Sequence, residues 1–275
     1  MLTAIDRWKA KVRAARAARE REGESTGARH WGADRAAWFN RFAGQSDRSH
    51  TYRFVRPYVK GRVLEIGPGP GAYTRLLLRD GARVVAVEPS PFMVRLLREN
   101  IVPDNTGERD DLTIVQSTIE DYLPRLETYD LALAANVLGG IERIDDVLRE
   151  VAAHAEVLAI VMWSNARTPD WSRDVEARLL GRVEPQPNMP DHDDLLGVLD
   201  ELGLSYTVHP ADVPIHTFDA PDEVVDWVQG FHGLPVERRA ELERVLAPHI
   251  EEQGGKYGLP SGRGTRVVLV RRRAL

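Results

Sequence analysis

Two hydrophobic patterns alternate through the middle of the chain. Short runs of consecutive apolar residues are followed by longer segments in which apolar positions recur every three or four residues. The runs predict strands buried on both faces, and the longer segments predict amphipathic helices. Because this alternation needs crossover connections, it predicts a parallel sheet with helices on both faces. The predicted strands are Arg62–Ile66, Arg83–Val87, Leu112–Gln116, Tyr129–Ala135 and Glu156–Trp163.

The alternation stops after Trp163. Three prolines between Glu184 and His192 exclude regular structure there. Beyond them, the pattern predicts helices over 193–202, 221–231 and 236–252, and strands over 206–209 and 265–270. The predicted divisions are a helical cap (1–60), a core (61–216 and 262–275) and a helical lid inserted before the last strand (217–261).

Two helical segments precede the first predicted strand. Residues 1–21 hold seven Lys or Arg residues, and Trp8 and Val12 belong to an apolar stripe at helical spacing. Such a helix contacts an anionic surface or RNA, or it packs on the protein body or on a second subunit of a homodimer. We favour packing, because short basic helices are common. The second segment, 31–59, is rich in aromatic residues, which either line a pocket or pack a helix on the core.

Composition narrows the class of protein. The 275 residues contain 37 Lys and Arg against 42 Asp and Glu, a net charge of −5, and no Cys. The lack of Cys excludes disulfides, thiolate metal sites and a Cys nucleophile. No apolar run reaches the roughly 18 residues of a membrane span, and residues 1–21 lack the apolar centre of a signal peptide. We therefore expect a soluble cytoplasmic protein without a membrane partner, and the mild acidity argues against nucleic acid as a partner.

A glycine-rich turn follows the first predicted strand. Glu65 precedes Gly67, Gly69 and Gly71, and Glu88 ends the second strand seventeen residues later. Glycines let the backbone approach a ligand closely, and a carboxylate at the second strand suits a ribose diol. The run also fits a dinucleotide-binding pattern, but Glu65 would repel a pyrophosphate, and the two loop prolines lack N–H donors for it. Glu65 could instead receive a cation such as an α-ammonium group.

These residues, E-I-G-P-G-P-G followed by V-E-P-S, resemble the class I S-adenosylmethionine-dependent methyltransferases. The resemblance covers residues 61–163 well and residues 30–60 and the C-terminal strands loosely. It implies a Rossmann-like α/β fold with a mostly parallel seven-stranded sheet, and S-adenosylmethionine as cofactor. The positions that it implies for cofactor binding are Glu65, Gly67, Pro68, Gly69, Gly71, Glu88, Pro89, Ser90, Met93, Thr118, Ile119, Glu120, Asn136 and Val137, to which we add Tyr52 and Arg35 as candidates for the cofactor carboxylate.

The acceptor side of the site is less defined. Many relatives with the N-V-L pattern have a histidine where this chain has Gly139-Gly140, so that base candidate is missing. No metal motif is present, and residues 191–194 are interpreted as a solvated turn. The candidate bases are His30, His50, His192 and His232. The candidate substrate residues are Trp38, Gly139, Gly140, Trp163, Asn165, Trp227 and Phe231.

The resemblance implies methyl transfer from S-adenosylmethionine to an oxygen, nitrogen or carbon atom. The negative charge and the predicted lid favour a small-molecule acceptor. Two further functions stay open. The missing histidine allows a non-catalytic nucleotide-binding or regulatory protein on the same fold, and the glycine pattern allows an NAD(P)-dependent reductase.

Overall fold

A computed structural model describes residues 2–21, 31–43, 48–101, 109–164, 169–182, 189–211, 217–260 and 264–272. None of the helices in these ranges is long and apolar enough to cross a membrane. The helices are α1 (Ala4–Arg21), α2 (Ala33–Ala43), α3 (Ser49–Val55), α4 (Ala72–Arg79), α5 (Pro91–Ile101), α6 (Ile119–Tyr122), α7 (Ile144–His154), α8 (Asp170–Leu179), α9 (His192–Glu201), α10 (Pro221–His232) and α11 (Arg239–Leu246). The strands are β1 (Arg62–Ile66), β2 (Arg83–Val87), β3 (Leu112–Val115), β4 (Tyr129–Ala135), β5 (Ala155–Ser164), β6 (Tyr206–Ala211), β7 (Glu251–Gln253), β8 (Lys256–Gly258) and β9 (Gly264–Arg271).

Seven of these strands form one sheet, in the order β3-β2-β1-β4-β5-β9-β6. The strands from β3 to β5 run parallel, and β9 lies antiparallel between β5 and β6. This confirms the predicted mostly parallel seven-stranded sheet. The strand order reverses between β1 and β4, and ligands of open α/β sheets bind at the carboxyl ends of strands at such a point.

Successive side chains of each strand enter different cores, as the apolar runs require. Leu64 packs with α1, α7 and α9 on one face of the sheet. Val63, its neighbour, packs with α3, α4 and α5 on the other. Both side chains are fully buried, so helices cover the sheet on both faces.

Helix α1 packs on the protein body, as favoured from its apolar stripe. Trp8 is fully buried, and its Nε1 donates a hydrogen bond to the Ile141 carbonyl at 2.8 Å. Several basic side chains of α1 also form ion pairs with carboxylates of the body. These pairs are Lys9–Asp145 at 2.9 Å, Lys11–Asp194 at 2.6 Å and Arg13–Glu142 at 2.6 Å.

A third apolar cluster joins α8, α10 and α11. Trp171 and Val175 of α8 pack there with Val228 of α10 and Leu242 of α11, and Phe42 at the end of α2 joins them. Helix α8 was not predicted, although Trp171, Val175 and Leu179 recur at helical spacing after Pro169. Helices α8, α10 and α11 therefore share one core, whereas α9 packs with α1.

Two predicted helices were too long. The predicted helix over 236–252 ends at Leu246, because Pro248 cannot continue it, and residues 251–258 form the β7–β8 hairpin instead. Gly254 and Gly255, both at positive φ, make the turn of that hairpin. The predicted segment 31–59 consists of two helices, α2 and α3, rather than one.

Candidate functional site

Glu65 ends β1 as a buried carboxyl group, with 3% of its surface exposed. Thr74 Oγ1, from the first turn of α4, donates to Glu65 Oε2 at 2.6 Å. Burial raises the pKa of Glu65 to about 7, the Thr74 hydrogen bond opposes this rise, and the charge of Glu88 adds to it. A cation next to Glu65 would stabilise its ionised form.

The glycine loop is packed tightly against its neighbours. Gly67 and Gly71 have φ values of +63° and +95°, which favour glycine. A Cβ at Gly67 would lie 2.6 Å from Val137 Cγ2, and one at Gly71 would lie 2.7 Å from Leu97 Cδ1. The loop therefore contacts both the segment after β4 and helix α5. A side chain at Gly67 or Gly71 would displace the loop from these neighbours.

Glu88 ends β2 beside this loop and is 5% exposed. Its Oε1 accepts from Ser90 N at 2.9 Å, and its Oε2 accepts from Gly69 N at 3.2 Å. Burial raises the pKa of Glu88, and the two N–H donors lower it. Each carboxylate oxygen has two lone pairs, so both oxygens can still accept a ligand hydroxyl. The arrangement fixes the carboxylate while leaving it able to bind a diol.

Helix α2 lies over the loop and the end of β2. Phe39 Cε1 is 3.9 Å from the position of a Cβ at Gly69. Asn100 Nδ2 donates to Asn40 Oδ1 of α2 at 2.7 Å and to the Pro70 carbonyl at 2.8 Å. Because α2 is tied to the loop in this way, a ligand bound at Glu88 would lie next to α2.

The other residues around Glu88 lie close to the same helix. Ser90 is fully buried and its Oγ donates to the Trp31 carbonyl at 3.1 Å, while Met93 packs against Ala36 of α2. Pro68 is buried and Pro89 is half-buried. These positions, all named from the sequence, therefore lie together beneath α2.

The segment after β3 is joined to β2. Ser117 N donates to the Glu88 carbonyl at 3.2 Å. Thr118 caps α6 by accepting from Asp121 N, and Glu120 is half-buried. Ile119 is 5% exposed and packs in the core beside the sheet, so its side chain faces away from solvent.

The segment after β4 has an unusual backbone. Asn136 has a φ of +55°, which among the described residues no other non-glycine residue shares. Such strain is found at functional sites more often than elsewhere. The Pro190 carbonyl oxygen lies 3.3 Å from the Cβ position of Gly139, and no atom of the described chain lies within 4 Å of that position at Gly140. Gly139 is therefore covered, and Gly140 is open.

His192 lies two residues after Pro190, at the first position of α9. It is 5% exposed, and within the described ranges its Nε2 has no hydrogen-bond partner. Asp191 and Asp194 form a capping box at this helix, and Asp194 also pairs with Lys11. The acidic turn thus acts as a helix cap; among the residues that the structure describes, no group of three His, Asp or Glu side chains could hold a metal ion.

Tyr52 lies away from the loop, contrary to its selection as a cofactor residue. Its hydroxyl donates to the Leu76 carbonyl at 3.0 Å and to Asp80 Oδ2 at 2.9 Å, at the far end of α4. Helix α4 begins at the glycine loop and runs back along β1, so its last turn lies at the opposite edge of the sheet. The aromatic character of Tyr52 did not indicate this position.

Arg48 is a cation near the loop that the sequence did not single out. Its guanidinium lies 5.7 Å from the ring of Tyr73, whose hydroxyl is 2.7 Å from Thr51 Oγ1. Its buried Nε has no hydrogen-bond partner within the part of the chain that the structure describes. No local pattern marks Arg48, because its position depends on how α3 packs against α4.

Most of the remaining candidates lie within the described residues. His50 is half-buried in the first turn of α3, and Trp163 is half-buried at the end of β5. His30 and Asn165 lie outside the described residues. Four candidates lie together where α2 packs against α10, namely Trp38, Trp227, Phe231 and His232.

Comparisons with known proteins agree with this geometry. A family described as a methyltransferase domain matches residues 64–156, which run from β1 to the start of β5. A ribosomal RNA small subunit methyltransferase A of Mycobacterium sp. (strain KMS) is 40% identical over 76 residues, which are 27% of this chain and 26% of that protein. A ubiquinone biosynthesis O-methyltransferase of Methylocella silvestris is 26% identical over 172 residues, which are 54% of this chain and 65% of that protein.

Solved structures show the same fold. The YcgJ protein of Bacillus subtilis aligns with a TM-score of 0.52 and 17% identity, over 82% of this chain and 100% of that chain. The two curated relatives named above are matched over shorter stretches, 26% and 65% of their own length.

Proposed function

We propose that the chain is a class I S-adenosylmethionine-dependent methyltransferase and that it methylates an oxygen, nitrogen or carbon atom of a small molecule. The observation that supports the site most strongly is the pair of buried carboxyl groups, Glu65 and Glu88, on either side of the glycine loop. Glu65 suits the cofactor's ammonium group, and Glu88 suits its ribose hydroxyls.

The residues present fit this cofactor. Glu88 has free lone pairs on both oxygens, and Arg48 has a buried Nε without a partner among the described residues. We assign Arg48 to the cofactor carboxylate in place of Tyr52. We assign Thr118 and Glu120 to the adenine, since Ser117, which precedes them, donates its N–H to the Glu88 carbonyl.

When bound, S-adenosylmethionine supplies a methyl group on a cationic sulfur, which becomes a neutral thioether as the acceptor atom forms its bond to the methyl carbon. The protein's part is to hold the acceptor in line and to exclude water. Asn136, Gly139 and Gly140 border the space for the acceptor after β4. His192 Nε2 is available to take a proton from an acceptor that must lose one.

Charge and packing support a small acceptor. The chain carries a net charge of −5, and three basic side chains of α1 are paired with Asp145, Asp194 and Glu142. The aromatic side chains that meet where α2 packs against α10 suit a small ligand. Methylation of RNA is the second candidate, because several of the relatives are ribosomal RNA small subunit methyltransferases.

A reductase and a regulatory protein are less well supported. An NAD(P)-dependent reductase has no support, since the matched family is a methyltransferase domain. A regulatory protein on the same fold would bind S-adenosylmethionine and transfer no methyl group, so turnover separates it from the enzyme.

Calorimetric titration with S-adenosylmethionine and S-adenosylhomocysteine tests the site. We expect both ligands to bind, and Glu88→Gln to weaken binding at least about tenfold, because it removes a charged acceptor of hydrogen bonds. Glu127→Gln is the matched control, because Glu127 pairs with Arg62 at the opposite edge of the sheet. If neither ligand binds to the folded wild-type protein, the proposal is wrong. If the two variants bind equally well, Glu88 does not hold the ribose.

A further inference from the structure

The junction of α2, α8 and α10, called the aromatic junction here, contains buried polar atoms that form no hydrogen bond with the described part of the chain. Trp38 Nε1 of α2 and His232 Nε2 of α10 are both buried, and neither has a hydrogen-bond partner among the described residues. Buried polar atoms without partners are rare, because each loses its hydrogen bonds to water. Two of them at one junction indicate a partner that the described residues do not supply.

Close packing fixes the position of Trp38. A Cβ at Gly230 would collide with both Cδ1 and Nε1 of Trp38, so the indole lies directly against the backbone of α10. The ring of Phe231 lies 6.1 Å from that of Trp38 and 4.9 Å from that of His232. The two unsatisfied nitrogens therefore lie around one short stretch of α10.

Positive charge surrounds these nitrogens. Arg35 lies one turn before Trp38 on α2, and Arg182 follows α8. Burial lowers the pKa of His232 to about 4, and the charges of Arg182 and Arg35 contribute to this lowering. His232 is therefore neutral at physiological pH, and the positive charge of the junction comes from the two guanidinium groups.

The junction also has flat apolar walls. Trp171 of α8 faces His232 edge-on at 6.4 Å, and Phe231 is 37% exposed at the open side. The junction continues towards the glycine loop, since the ring of Phe39 lies 6.4 Å from that of Trp38, and its Cε1 lies 3.9 Å from the Cβ position of Gly69. A ligand held here would lie next to the cofactor site.

We propose that the aromatic junction binds an aromatic acid, and that this acid is the methyl acceptor. Its carboxylate would accept hydrogen bonds from Trp38 Nε1 and from the guanidinium groups of Arg35 and Arg182, which match a carboxylate in shape and charge. Its ring would pack against Phe231 and Trp171. The proposal rests on the proposed function and names the class of its acceptor.

Benzoate and its neutral analogue benzamide serve as probes, titrated by calorimetry with and without saturating S-adenosylhomocysteine. We expect benzoate to bind at least about tenfold more tightly than benzamide, since a charged hydrogen bond is lost in the amide. Arg35→Gln should abolish this preference. Trp38→Phe, which keeps an aromatic ring and removes the N–H, should weaken benzoate several-fold.

Arg41→Gln is the matched control on the same helix, because Arg41 is exposed and pairs with Asp226 at 3.1 Å. It should retain the preference for benzoate. If S-adenosylhomocysteine binds but benzoate does not bind by 10 mM (about the limit of the method), or binds no better than benzamide, the junction does not take an acid and the methyltransferase proposal stands. If benzoate binds and S-adenosylhomocysteine does not, the anion site stands and the methyltransferase proposal is wrong.

Discussion

At the scale of single residues, Glu65 links cofactor binding to pH. Burial raises its pKa to about 7, so below that pH the free protein holds this carboxyl group largely protonated. A raised pKa stabilises the folded protein fully below the ordinary value of about 4.5 and ceases to do so as the pH rises through 7. If the cofactor's ammonium group lies beside Glu65, binding favours the ionised form and releases a proton.

The affinity for S-adenosylmethionine should therefore rise with pH from 6 to 7 by up to about tenfold and level off above pH 7. The measurement is calorimetry at several pH values in buffers of different ionisation enthalpy, which counts the released protons. Glu65→Gln should bind with an affinity that is nearly independent of pH in this range. An absence of proton release at pH 6 in the wild type would show that no cation approaches Glu65.

At the scale of elements, the contact between α2 and α10 depends on Gly230. Alanine is favoured over glycine in a helix by about 1 kcal/mol, so propensity alone predicts that Gly230→Ala stabilises the protein. The added methyl group would collide with the Trp38 indole, which the rings of Phe39, Phe42 and Phe231 enclose at 6.0 to 6.4 Å. Overpacking of this kind costs about 1–3 kcal/mol.

Because the collision involves several atoms of an enclosed ring, we expect the upper end of this cost. Less the gain in propensity, Gly230→Ala should lower the free energy of unfolding by about 2 kcal/mol, measured by urea denaturation. Gly32→Ala is the control, since no atom of the described chain lies within 4 Å of a Cβ there. A Gly230→Ala variant as stable as the wild type would mean that Trp38 moves freely, and the aromatic junction would then not be a fixed site.

Elements with local signals were the ones best predicted from the sequence. The strands β1, β2 and β4 were predicted to the residue, because their apolar runs end at glycine, proline or polar residues. Helix α8 and the β7–β8 hairpin were missed, since α8 follows an irregular stretch and the hairpin replaces a helix that Pro248 ends. Arg48 and Tyr52 show what local patterns cannot predict. Whether either side chain reaches the loop depends on how α3 packs against α4.

At the scale of the whole molecule, our proposals assign the cofactor to the sheet edge and the acceptor to the helices beyond it. The sheet brings Glu65, Glu88 and Asn136 to one edge, and α2 connects that edge with the core formed by α8, α10 and α11. The fold is shared with proteins of other functions, so on our proposal the aromatic junction, and not the sheet, selects the acceptor.

The most direct measurement is the transfer of a radiolabelled methyl group from S-adenosylmethionine. The wild-type protein and Glu88→Gln would each be supplied with a fraction of small acidic metabolites or with ribosomal subunits. We predict that the wild type labels a product of low molecular mass, that Glu88→Gln loses most of this label, and that ribosomal RNA stays unlabelled. Label found in ribosomal RNA alone, or in neither fraction while the cofactor binds, would contradict methylation of a small acid.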